Sequence, residues 1–133
     1  MGTERHTMSN HPITVSSSHI SWTAVQSALA GAAAKAQAMD VRVNIAVTDA
    51  AGLMVGFLRM NGAPLHSIDI ALDKAYTASS FGLPTSQWTE VLKHHSPAVA
   101  QGLVARPRFV AFGGGLPIVQ QGERIGEHDL ADE

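Results

Sequence analysis

The stretch Arg42-Val43-Asn44-Ile45-Ala46-Val47-Thr48-Asp49-Ala50-Ala51-Gly52, continuing over residues 53–60, decides the fold. Val43, Ile45 and Val47 alternate with Arg42, Asn44, Ala46 and Thr48, the period of two that marks a strand with one buried face. Asp49-Ala50-Ala51-Gly52 supplies turn chemistry, with a glycine free to take positive φ. Residues 53–60 read as the returning strand, so 42–60 is expected to be a β-hairpin.

Upstream, Val25, Ala28, Leu29, Ala32, Ala36 and Met39 recur at spacings of three and four, which predicts an amphipathic helix over 22–39 capped by Ser18 or Ser21. Residues 13–15 read as a short strand or an extended arm. Downstream, Asn61-Gly62-Ala63-Pro64 breaks the pattern, and a helix is expected over 66–80, stopped by Gly82-Leu83-Pro84. Thr85 or Ser86 is expected to cap a shorter helix reaching about residue 94, with Glu90 in its first turn. Residues 95–107, bounded by Pro97 and Pro107, read as a loop with at most one helical turn. Residues 109–112 read as a strand, interrupted by Gly113-Gly114-Gly115 and resumed over 117–120, with a short strand over 123–125. The order lacks βαβ alternation, so the expected class is α+β, an antiparallel sheet flanked by helices. The expected division is a flexible leader at 1–12, one domain over 13–126 and an acidic tail at 127–133.

At 133 residues the chain suits one domain with one core. It is 45% hydrophobic and 15% charged, ordinary for a globular protein. The net charge is −2 and Lys and Arg do not cluster, which argues against a nucleic-acid surface. There is no cysteine, which excludes disulfides, zinc–thiolate sites and iron–sulfur clusters. No apolar run reaches the ~18 residues of a membrane span. The first ten residues have no signal-peptide core, so a cytoplasmic location is the expectation, with export by another route open.

With these blocks in place, the chain resembles the GlcG/HbpS family, the haem-degrading or haem-binding domain family that includes the PduO C-terminal domain. The matching stretches are Ile45-Ala46-Val47-Thr48-Asp49-Ala50-Ala51-Gly52, Phe57-Leu58-Arg59-Met60-Asn61-Gly62-Ala63-Pro64, residues 68–82, and Phe112-Gly113-Gly114-Gly115-Leu116-Pro117-Ile118. The resemblance implies a profilin-like or roadblock-like α/β/α fold, homo-oligomers, and in some members haem or iron. Where such chains continue after Gly126 with an apolar strand and a final helix, this one reads Glu127-His128-Asp129-Leu130-Ala131-Asp132-Glu133. The usual last strand and helix are therefore expected to be lacking, leaving unpaired backbone that association would cover.

The chemistry-bearing candidates follow. Lys74 lies on one helical stripe with Ala71, Ala78 and Phe81, and the resemblance implies an anchor for a haem propionate or another small organic carboxylate. The plainer reading pairs Lys74 with Asp69, Asp73 or a neighbouring subunit. Gly113, Gly114 and Gly115 offer an anion nest of backbone N–H groups, or a simple bulge. Arg59 offers a bidentate carboxylate contact, or a strand-end ion pair. Met60, Phe81 and Leu116 would supply an apolar wall. His66, Asp69 and Asp73, at i, i+3 and i+7, are weak candidates for a divalent metal, since His66 and Asp69 are equally explained as first-turn residues, where an acid favours the helix dipole. Haem iron wants an axial ligand, and none of His19, His66, His94 and His95 stands out.

The reading is a ligand-binding protein for haem or another carboxylate-bearing cofactor or metabolite, acting as a homo-oligomer, with neither nucleic acid nor membrane as partner. Two alternatives stay open: a small enzyme that stabilises an oxyanion with Lys74 and the glycine run, and an interaction module without ligand.

Overall fold

The computed structural model describes residues 11–120 and 123–131. Helix α1 (Trp22–Ala38) precedes the hairpin strands β1 (Asn44–Asp49) and β2 (Met54–Arg59). Helix α2 (Ser67–Phe81) follows, then a 3₁₀ turn (Thr85–Gln87) and the short helices α3 (Trp88–Lys93) and α4 (Pro97–Val104). Strands β3 (Gly115–Gln120) and β4 (Glu123–Ala131) close the order. The sheet runs β2-β1-β4-β3 with every pair antiparallel.

Alternation along β1 assigns one helix to each face of the sheet. Val43 and Ile45 pack with Ala36, Leu29 and Leu58 on the α1 side. Ala46 packs with Ala71, Ala75 and Phe57 on the α2 side. Ser21 caps α1 by accepting from the Ala24 N–H at 3.2 Å, settling the choice between the two serines. Helix α1 approaches β2 closely at Gly56, where a Cβ would collide with Val25. The hairpin and both long helices thus stand where periodicity puts them, within a residue or two at each end.

Four expectations need correction. Residues 97–104 form two helical turns: Ser96 caps them through the Val99 N–H at 3.3 Å, and Pro97 occupies the first helical position, where a missing N–H costs nothing. Residues 109–112 are not a strand. The Val110 N–H donates to Thr77 Oγ1 at 3.0 Å, and the Thr77 hydroxyl donates to the Arg108 carbonyl at 2.9 Å, so this segment is tied to α2 rather than to a ladder. Neither Thr85 nor Ser86 caps the next helix; the Thr85 hydroxyl accepts from the Gly115 N–H at 2.8 Å instead.

Residues 127–131, expected as part of an acidic tail, continue β4 into the middle of the sheet. Asn44 to Asp49 face Ala131 to Gly126 on one side of β4, and Gly115 faces Asp129 on the other. The place expected to be empty, and to need cover from association, is filled by this chain's own strand. Ahead of α1, residues 13–15 form no strand; Ile13 and Val15 are exposed. The segment after them lies along β4, with the Ile20 N–H donating to the Ile125 carbonyl at 2.9 Å. The leader expected over 1–12 falls, for residues 1–10, outside the described residues.

Candidate functional site

Helix α2 turns Ala71, Ala75 and Ala78 onto the sheet and leaves Lys74 on the flank of that stripe, only 5% exposed. The Lys74 ammonium sits 4.7 Å from the centroid of the Phe112 ring, within cation–π range. Gly115 meets the same helix turn from the other direction. A Cβ there would lie 2.7 Å from the Lys74 carbonyl oxygen and 2.9 Å from Thr85 Cγ2, so only glycine allows β3 to start this close to α2. Gly114, at φ 130°, takes the positive φ that turns the chain into β3. The lysine and the glycine run, some forty residues apart, converge at one edge of the fold. The Gly115 N–H is already engaged by Thr85, which leaves the exposed Gly113 and half-buried Gly114 as the donors of any anion nest.

The other wall candidates lie elsewhere. Arg59 stands on β2, three strand positions across the sheet from β3, roughly 14 Å at the usual strand spacing. Its Nη2 donates to the Ala63 carbonyl at 2.6 Å. With Met60, Asp40 and Arg42 it lines a separate open cleft of about 780 Å³. Leu116 alternates to the sheet face away from Lys74 and is 44% exposed. Phe81 packs edge-on against Trp88 at 4.8 Å and Phe109 at 5.8 Å, joining an aromatic cluster at the end of α2. The aromatic residue that serves Lys74 is Phe112, which the sequence reading passed over although it directly precedes the glycines.

The structure does not bring His66, Asp69 and Asp73 together as a cluster among the described residues. Asp73 is held by Arg108, with Nε donating to Oδ1 at 2.9 Å, and among the described residues no three His, Cys, Asp or Glu side chains gather as a metal would need. His19 bonds the Ser17 hydroxyl at 3.0 Å, and His66, His94 and His95 are all exposed.

One buried group had no counterpart in the sequence reading. Glu127 on β4 is fully buried opposite Thr48 of β1. Thr48 Oγ1 donates to its Oε1 at 3.4 Å, and Arg124 Nε lies 3.3 Å from Oε2. Oε2 receives no hydrogen bond among the described residues. Burial pushes the carboxyl above its ordinary value of 4.5; Arg124 and the Ser79 and Thr48 hydroxyls pull it part of the way back, and Asp49 adds to the rise. Glu123-Arg124-Ile125-Gly126-Glu127 carries no apolar alternation, so no signal for a buried strand was there to be found.

The comparisons place this geometry in a known setting. The family model described as haem degrading protein HbpS-like matches residues 20–127. A 15.0 kDa protein from the dhaT-dhaS intergenic region of Citrobacter freundii is 37% identical over 93 residues, 70% of this chain and 66% of that protein, just under two thirds of its length. The crystal structure of Klebsiella pneumoniae ORFY superposes with a TM-score of 0.83 at 28% identity, covering 92% of this chain and 84% of that one. The crystal structure of a PduOC–haem complex superposes with a TM-score of 0.77 at 26% identity, covering 86% of this chain and 83% of the other. The match spans both the helix carrying Lys74 and the glycine run it meets, and the chain belongs to the HbpS-like family.

Proposed function

We propose that this protein binds a carboxylate-bearing ligand at the Lys74–Phe112–Gly114 edge, with haem as the leading candidate. The observation that carries the reading is the buried lysine held beside an aromatic ring, at the point where Gly115 brings the glycine run against its helix turn. A mostly buried ammonium attracts a carboxylate more strongly than an exposed one, because the low dielectric around it screens less. The N–H groups of Gly113 and Gly114 would complete the contact, and Phe112 offers a flat face to a planar ring system. The relative crystallised with haem supports the ligand class.

The residues fit a propionate or another carboxylate. When bound, haem would supply iron redox chemistry; this chain's part is to bind and orient the acid groups. An oxyanion-stabilising enzyme is less well supported, since one of the three glycine N–H groups is taken by Thr85. Titration with haem, followed in the Soret region, tests the proposal. The expected result is saturable binding weakened about tenfold or more in Lys74→Met, with an unchanged cooperative melt, since charge-assisted contacts are the strong ones. Affinity unchanged in a folded Lys74→Met would overturn it. Absence of any saturable binding would favour the interaction-module alternative.

A further inference from the structure

A second cavity, of about 100 Å³, opens on the outer face of α2, turned away from the sheet. Tyr76, Ser80 and Phe81 of α2 form one side, and Leu103, Pro107 and Phe109 the other. Its apolar floor is stiff: Phe81, Phe109 and Trp88 pack edge to face, with Trp88 at 4.8 Å from each of the other two. Two arginines, Arg106 and Arg108, stand in the same lining.

Arg108 is held in an unusual state. It takes φ 65°, a left-handed conformation that costs a non-glycine residue free energy. The Thr77 hydroxyl fixes its carbonyl, and Asp73 accepts its Nε–H at 2.9 Å. Its guanidinium lies over the Tyr76 ring, with Cζ 3.6 Å from the ring centroid. A guanidinium has five N–H donors in a planar fork; Asp73 takes the one on Nε, and the four on the terminal amino groups have no side-chain partner among the described residues. With exposed Arg106 beside it and Asp73 as the one acid in ion-pair contact among the described residues, the rim carries a net positive charge over an apolar floor.

We propose that this cavity is a binding site, separate from the Lys74 edge, for a short aliphatic carboxylate. Its acid group meets Arg108 and Arg106, and its tail lies against Phe81, Leu103 and Phe109. The size follows from the volume. The cavity equals about three water molecules at roughly 30 Å³ each, room for a tail of a few carbons and too little for a porphyrin. The pinned backbone and stacked guanidinium mean that little side-chain entropy is lost on binding.

The test is a titration of the full chain with butyrate, followed by amide ¹H–¹⁵N shifts, with butanol and butylammonium as matched probes. The expected result is saturable shifts centred on Tyr76, Ser80 and Phe109 with butyrate alone. Arg106→Gln should weaken binding about fivefold, the upper range for an exposed ion pair. Ser80→Leu, at an exposed lining position, should block the site while the melt is retained. Lys74→Met should leave the isotherm read at the Tyr76, Ser80 and Phe109 amides unchanged, whatever it does to butyrate at the other edge. Equal shifts at these three amides with butanol, butyrate shifts confined to Lys74 and Gly113 to Gly115, or loss of the Tyr76, Ser80 and Phe109 shifts in a folded Lys74→Met would each overturn the proposal.

Discussion

Gly115 and Gly113 sit two residues apart and carry opposite constraints. A methyl group at Gly115 would press on the backbone oxygen of Lys74, which cannot give way without moving α2. At Gly113 the nearest atom is Ser86 Cβ at 3.5 Å, an ordinary contact. Gly115→Ala should therefore cost about 1–3 kcal/mol, the usual range for overpacking, and Gly113→Ala about 0.5 kcal/mol or less; denaturant melts of both variants check this. Glu127 gives the second residue-level prediction. Its raised carboxyl pKa means that the folded chain holds the proton more tightly than the unfolded chain does. The sign follows from linkage: this group's contribution is most favourable below 4.5 and declines as pH rises through the higher folded value. The groups facing it are Arg124 on its own strand, Thr48 and Asp49 on β1, and Ser79 on α2. Glu127→Gln removes the decline, so its melting temperature should exceed the parent's at pH 7 and converge with it towards pH 4. At this chain length each 1 kcal/mol appears as about 4 °C. Lys74 and the glycine run were legible because charge among alanines and three successive glycines are local signals. Glu127 was not, since burial of a carboxylate depends on which strand lies opposite it.

Elements with a clear period were legible, and those set by tertiary contacts were not. The hairpin and the two long helices carry alternation or three-to-four spacing that packing then used. Residues 109–112 look like a strand by composition, yet Thr77 claims their backbone first. Helix α4 begins at a proline that reads as a boundary until Ser96 is seen capping it. Strand β4 is the sharpest case, a polar segment recruited because β1 and β3 each need a partner in the middle of the sheet. Deletion of residues 127–133 discriminates between the tail and the strand. A tail would be lost without effect, whereas removal of the central ladder should abolish the cooperative melt followed by circular dichroism, because β1 and β3 lose their shared neighbour.

For the whole molecule, the two sheet faces and the two edges divide the labour. Helix α1 and its side of the sheet hold the larger apolar cluster. The α2 side and the β3 edge carry Lys74, Phe112 and the glycine run, while Arg59 stays at the β2 edge. Among the described residues no helix is long and apolar enough to cross a membrane. If the buried Lys74 ammonium grips the acid group of a planar ligand, affinity must depend on that ligand's negative charge. The most direct measurement compares protoporphyrin IX with its dimethyl ester, which keeps the ring and removes both negative charges. The ester should bind about tenfold or more weakly, and Lys74→Met should erase the difference. Equal affinity of the parent chain for acid and ester would mean that Lys74 grips no carboxylate.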